Sequence, residues 1–244
     1  MSDILGSVTG KAASDAAGNT AGNAMSNAAG NIASKTHHLT LPISAADVRK
    51  ISVGDMVYLN GEIVVTIGLP THQRIIDHAA SGAPLPAALP HGAFFHLSCF
   101  NRELADGGFE ALYMNPSTST RYNSYMPRII EGLDLRMVGG KGGLDAASVA
   151  ALRETGCIYL SFLGGGCTML ARAIEKVVAV DWTDYISQFR LVTLKVKDLG
   201  PATVGIDAHG NSIYESLAQS AQARLPALLA QMRAQREPGP DAAE

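Results

Sequence analysis

The chain has 244 residues, 47% of them hydrophobic, which suffices for one sizeable core and a small appendage. Its formal net charge of −3 supplies no electrostatic pull toward nucleic acid or an anionic membrane surface. No apolar run reaches the length of a bilayer span and no basic segment followed by an apolar stretch opens the chain, so a cytoplasmic location is expected.

Residues 1–37 read as a flexible tail. Gly10 to Ser34 is mostly Ala, Gly, Asn and Ser, with an Ala-Gly-Asn tripeptide at Ala17, Ala21 and Ala29. Such a segment has too few large apolar side chains to offset the entropy of ordering. Beyond it, Ser44 is a good N-cap for a helix that carries Val48 and Ile51 on one face. The run from Met56 to Gly68 predicts two strands joined by a hairpin at Asn60-Gly61. Thr71 to Ala80 predicts a helix closed by Gly82, followed by a proline-punctuated loop. Ala93 to Cys99 and Phe109 to Met114 read as strands.

From here helices and strands alternate. Helices are predicted over Ser117–Glu131, Asp145–Glu154 (with Asp145 as N-cap) and Cys167–Lys176. Strands are predicted over Leu135–Val138, Ile158–Leu163, Val177–Trp182, Leu191–Val196 and Thr203–Asp207. A turn at His209-Gly210-Asn211 precedes a long C-terminal helix, Tyr214 to Arg236. The order indicates an α/β fold, with β-rich layers under helices. The expected division is a tail over 1–37, a main domain over 38–214, and a C-terminal helix with a frayed end over 215–244.

Three junctions suit an anion. In Asn115-Pro116-Ser117-Thr118-Ser119-Thr120-Arg121, a helix start would offer free N–H groups, with hydroxyls from Ser117 and Thr118. Arg121, four residues after Ser117, would share its face and could grip a carboxylate. On this segment alone, an ordinary capped helix with a solvent-facing arginine is the simpler reading. In Gly139-Gly140-Lys141-Gly142-Gly143, four glycines let the backbone approach a ligand while the lysine reaches into a cleft. It is not a phosphate loop, because no Ser or Thr follows the lysine. Gly164-Gly165-Gly166-Cys167 reads first as a close helix–sheet contact.

Cys99, Cys157 and Cys167 are odd in number and too scattered for a metal motif, so neither disulfides nor a cluster on this chain is expected. His72 lies early in its helix, where it could face a site or simply cap or cover the surface. No pair of histidines has metal-ligand spacing.

These segments, in this order, resemble the β subunit of L-tartrate dehydratase, which is similar to the C-terminal domain of class I fumarases. The likeness runs from Leu39 to Tyr214. It is carried by LPISAADVRKISVGDMVYLNGEIVV at Leu41–Val65, His72-Gln73-Arg74, PSTSTR at Pro116–Arg121, GGKGG around Lys141, DWTD at Asp181–Asp184, and VKDLGP with IDAHGN near the end. The resemblance implies a swivelling β/β/α fold. It also implies an iron–sulfur α subunit holding a [4Fe–4S] cluster on its own cysteines, and a hydro-lyase reaction on a hydroxylated acid of the tartrate, malate and fumarate class.

By the same resemblance, Ser117 matches a residue implicated in proton transfer and Lys141 an active-site lysine. Thr118, Arg121, His72, Gly140 and Gly142 fall at substrate-binding positions. Departures cluster near the expected site. Gly68-Leu69 stands where the family has Arg-Asp, His96-Leu97-Ser98-Cys99 where it has His-x-Gly-Pro, and Ile186-Ser187 where it has Gly-Met. They imply an altered substrate. The alternative is a carboxylate-binding module that kept the fold and lost the reaction.

Overall fold

The structure, a computed structural model, describes residues 34–87 and 89–236. The chain divides into two units, Met1–Ser34 and Lys35–Glu244. The tail reading falls almost wholly outside the described residues. Its last two residues are already ordered, because the first strand, β1 (Thr36–Thr40), starts inside the span read as tail.

Nine strands and six helices follow in the described residues. They are β1, α1 (Ala45–Val48), β2 (Met56–Val65), α2 (Leu69–Ser81), β3 (Ala93–Phe95), β4 (Leu97–Glu103) and β5 (Phe109–Pro116). Then come α3 (Met126–Gly132), β6 (Met137–Gly140), α4 (Ala146–Thr155), β7 (Ile158–Phe162), α5 (Cys167–Arg172), β8 (Ile174–Asp181), β9 (Leu191–Ile206) and α6 (Ile213–Arg236). Seven strands form one sheet in the order β1-β2-β3-β6-β7-β9-β8, and β4 and β5 form a separate antiparallel pair. The pairs from β1 to β7 are parallel, and β9 runs antiparallel to its neighbours. Because β9 also pairs with β2, the circuit β2-β3-β6-β7-β9 closes on itself.

The central strands of this circuit are buried on both faces, and the sequence supplies the side chains for that. Adjacent residues alternate between two cores. Val64, Phe94, Val138 and Tyr159 pack with Ile75, Ile76, Ile129, Ile130 and Leu152 under the helices. Val65, Phe95, Met137 and Ile158 pack with Leu97, Met114, Leu194 and Leu199 on the other side. Such strands read as unbroken apolar runs.

The caps behave as the sequence indicates. Ser44 accepts from Asp47 N–H, Asp145 accepts from Ser148 N–H, and Gly82 closes α2 at φ 70°. Several boundaries differ. Asn60-Gly61 is not a hairpin: β2 runs through it as one strand. Gly61 adopts φ 112°, where the register with β9 shifts, so the glycine makes a bulge rather than a turn. The two strands expected between Leu191 and Asp207 are one, held by partners on both edges. The helix from Cys167 stops at Arg172, because the chain enters β8 at Ile174.

A Cβ on Gly61 would lie 2.9 Å from the Leu41 carbonyl oxygen. Gly61→Ala therefore combines a left-handed backbone with a close contact and should destabilise the protein by more than about 1 kcal/mol. A lowered urea midpoint with unchanged slope is the measurement that checks it.

Candidate active site

The chain leaves the large sheet at His96, between β3 and β4, and returns at Ser117 after the β4–β5 hairpin. Ser117 N–H donates to the His96 carbonyl at 2.8 Å, and His96 N–H donates to that of Gly139 at 2.7 Å. Thr118 then meets Lys141 in a short parallel bridge. Lys141 N–H donates to Ser117 O at 2.9 Å, and Ser119 N–H donates to Lys141 O at 2.8 Å. Backbone hydrogen bonds thus lace the serine–threonine segment to the glycine–lysine loop.

This corrects the helix expected from Ser117. Ser117 and Thr118 continue extended, Ser119–Tyr122 makes one 3₁₀ turn, and the α-helix begins only at Met126, with Pro127 in its first turn. Pairing with Lys141 wins over helix propensity here. Ser117 and Arg121 do not share a helical face: Ser117 is buried at 9% exposure, whereas Arg121 is exposed. Thr118 is half-buried and Thr120 exposed.

The glycines around Lys141 divide by role. A Cβ on Gly139 would lie 2.6 Å from Leu160 O, and one on Gly143 would lie 2.5 Å from the Tyr214 ring. Those positions are small because the protein packs on itself, not because a ligand must approach. Gly140 is also buried, against Ser119 and the Ser117 carbonyl. Gly142 is exposed beside Thr118 and stays on the rim. The Lys141 side chain reaches the third loop, with Nζ 3.9 Å from where a Gly164 Cβ would stand. Cys167, just beyond that loop, is partly exposed.

His72 is not on this rim. It has 0% exposure and stacks on Tyr122, with ring centroids 4.3 Å apart and planes within 5°. It neither covers the surface nor reaches a ligand from this position. Its Nδ1 lies 2.7 Å from Gly68 O and must donate, since a carbonyl only accepts. His96 packs on Tyr122 at 4.3 Å, and the Tyr122 hydroxyl donates to Ile67 O at 2.7 Å. Below them Ser119, also at 0% exposure, lies 2.8 Å from His96 Nδ1 and 2.9 Å from the Tyr159 hydroxyl. Burial lowers the His72 imidazole to about 4. Burial, with His72 beside it, pushes His96 well below its ordinary range. Both rings are therefore neutral at pH 7.

Sequence reasoning missed this layer. His96 stood out only as a family position, Ser119 was one hydroxyl among several, and Tyr122 and Tyr159 gave no signal.

The departure at Gly68 has a physical counterpart. A Cβ there would lie 2.8 Å from the Phe189 Cβ. Thr66 and Thr71 both donate to the Phe189 carbonyl, tying the Ser187–Phe189 turn over the start of α2. The space a larger side chain would need at position 68 is filled. Nearby, Arg74 packs over Trp182 and Tyr185 at 4.9 Å and 5.5 Å and pairs with Asp184 at 3.0 Å. Arg74 is thereby committed to the DWTD segment.

Among the described residues, no group of three or more His, Cys, Asp or Glu could hold a metal ion. Burial pushes the Cys99 thiol up to about 12 and raises Cys157 as well, so both are protonated and unsuited to ligate iron. Among the described residues, the donor set does not fit a cluster.

The family model described as "Fumarase C-terminus" matches residues 10–217. A Methanocaldococcus jannaschii protein, provisionally named L(+)-tartrate dehydratase subunit beta, is 31% identical over 188 residues, covering 77% of this chain and 95% of its own. The L(+)-tartrate dehydratase subunit beta of Escherichia coli K12 is 32% identical over 175 residues, 72% of this chain and 85% of its own. A Geobacillus stearothermophilus protein, provisionally named class I fumarate hydratase, is 33% identical over 187 residues; the match spans 77% of this chain but only 35% of that longer protein.

The buried imidazoles link stability to pH. The folded His72 value lies below its ordinary 6.5, so the unfolded chain binds more protons between about 4 and 6.5. Stability should fall as pH drops through that window, by up to about 1.4 kcal/mol per pH unit for each such histidine. His72→Phe keeps a ring against Tyr122 and should flatten the fall. Urea unfolding at pH 7 and pH 4.5 compares the two proteins.

Proposed function

The chain belongs to the fumarase C-terminus family, and from that premise we propose that it is the β subunit of an iron–sulfur-dependent hydro-lyase acting on a hydroxylated acid of the tartrate, malate and fumarate class. The observation that carries the reading is the Thr118–Lys141 bridge, which brings the family's hydroxyl-bearing segment and its lysine to one rim. Arg121 follows on the same segment and is exposed. A guanidinium and an ammonium beside hydroxyl groups suit a dicarboxylate, which needs charge-assisted bonds at both ends.

In this reading Lys141 and Arg121 bind and orient the carboxylates. Thr118 and the Gly142 backbone complete the rim, and Ser117 stands at the proton-transfer position. His72 and Gly140 act from behind the rim, as support rather than contact. The described residues hold no group of metal ligands that would supply a Lewis acid, and in this reading activation of the hydroxyl leaving group falls to a partner. We assign it to an α subunit carrying a [4Fe–4S] cluster on its own cysteines. The relative in which the matching region is 35% of a longer chain supports the idea that the remainder of the machinery lies outside this one.

We also assign the swivelling β/β/α arrangement to residues 38–214, with 215–244 as a C-terminal extension. The closed strand circuit with helices packed over one core supports that assignment. No helix of the described residues is long and apolar enough to cross a membrane, and we place the protein in the cytoplasm. The filled space at Gly68, where the family likeness implies an arginine, favours an altered substrate. It also favours, as the second reading, a carboxylate-binding module without turnover.

Anaerobic purification of the tagged full chain from its own cell extract tests the proposal. The expected result is a stoichiometric partner with about four irons per pair and dehydratase turnover on a panel of hydroxy acids. In that complex, Arg121→Ala should weaken substrate binding at least about tenfold, the scale of a lost charge-assisted bond. A partner-free, iron-free chain that binds carboxylates and turns over none would establish the second reading instead.

A further inference from the structure

The buried layer under the rim has a direction that the hydrogen-bond roles fix. Gly143 N–H donates to the Tyr159 oxygen at 3.3 Å. The Tyr159 hydroxyl donates to the Ser119 oxygen at 2.9 Å, with the Tyr214 ring packed edge-on beside it. Ser119 therefore accepts from Tyr159, and its own proton is left for His96 Nδ1, 2.8 Å away. An imidazole that accepts at Nδ1 carries its proton on Nε2 when neutral. The chain Gly143 N–H, Tyr159, Ser119, His96 thus runs with one polarity, and each bond strengthens the next.

His72 has the opposite tautomer. Its Nδ1 donates to Gly68 O, so its Nε2 carries a lone pair. The Nε2 atoms of both rings are buried without a protein partner, and the rings lie 5.2 Å apart. One offers a donor and the other an acceptor.

We infer that Ser119 is the positioning residue of this site: its buried hydroxyl joins the Ser117–Thr118 segment to the Lys141–Gly143 loop and holds His96 in the Nε2–H form. Ser119 also donates its backbone N–H to Lys141 O, so one residue grips the lysine loop twice, directly and through Tyr159 and Gly143. His96 in turn receives the Ser117 N–H on its carbonyl. Loss of the Ser119 hydroxyl leaves Tyr159 and His96 each short of a partner in a place without water access. Their reorganisation shifts Ser117 relative to Lys141. Ser119 itself has no exposed surface and touches no substrate.

The first test is nitrogen-15 NMR of the imidazoles in the full chain, without any partner. Wild type should show His96 as Nε2–H and His72 as Nδ1–H. Ser119→Ala should abolish the single tautomer at His96, and Tyr159→Phe, which removes the donor that orients the Ser119 hydroxyl, should let both His96 tautomers appear. Melting curves show that each variant is folded. A wild-type His96 protonated on Nδ1 overturns the inference.

The second test rests on the hydro-lyase reading and uses the complex with its partner. A displacement of reacting groups by about 1 Å costs on the order of 100-fold in rate. Ser119→Ala should accordingly lower kcat by about 10- to 100-fold with KM within about threefold, and Tyr159→Phe should fall between it and wild type. A folded Ser119→Ala with unchanged kcat overturns the positioning role. A wild-type complex without turnover instead sinks the hydro-lyase reading, and the tautomers then decide the proton arrangement by themselves.

Discussion

Strand β9 pairs with β2 along one edge, and with β8 and then β7 along the other. This strand turns a twisted parallel sheet into a closed one, and the remaining architecture follows from the closure. A closed circuit has no free edge between β2 and β7, and its central strands β3, β6 and β7, with the end of β2, are buried on both faces and carry apolar side chains on both. Val64 and Val65, Phe94 and Phe95, and Ile158 and Tyr159 are the sequence's answer to that demand. Only where strands end can polar groups collect, and the rim carrying Ser117, Thr118 and Lys141 forms at such an end.

The rim is rigid for a reason unlike the core's. Ser117 and Thr118 lie between β5 and the 3₁₀ turn that Ser119 opens; backbone bonds tie Ser117 and Ser119 to the lysine loop and Ser117 to His96. Beneath them lie two neutral imidazoles, two phenols and a serine, nearly all fully buried. Burying so many polar groups is costly unless each finds a partner. Most do, and the bonds that satisfy them also fix the loops above. The histidines stay uncharged because burial disfavours their charged forms.

How much of this was legible in the sequence depends on which forces act at each residue. Ser44, Asp145 and Gly82 declared themselves because caps are local events. The order of strands and helices was readable for the same reason. Gly61 misled because an Asn-Gly pair signals a turn, while pairing with β9 on one side kept the strand straight. Ser117–Glu131 misled because the bridge to Lys141 comes from a residue 20 or more positions away and overrides helix propensity. The seven candidate residues were named largely through the family likeness. The structure joins Thr118 to Lys141 with Gly142 beside them, leaves Arg121 exposed three residues further on, and buries Ser117, His72 and Gly140. Ser119, His96, Tyr122 and Tyr159 form a layer that no local pattern announces, because its members come from three separate segments.

Phe189 closing over Gly68 also bears on the order in which such a protein could change. An arginine restored at position 68 alone would drive its Cβ into the Phe189 side chain and the hydroxyl of Thr71. Removal of the phenylalanine alone would uncover the start of α2 and leave a gap with nothing to fill it. Each single change is opposed by packing, so positions 68 and 189 behave as a coupled pair. Whatever side chain takes the place of the glycine, the Ser187–Phe189 turn must move with it.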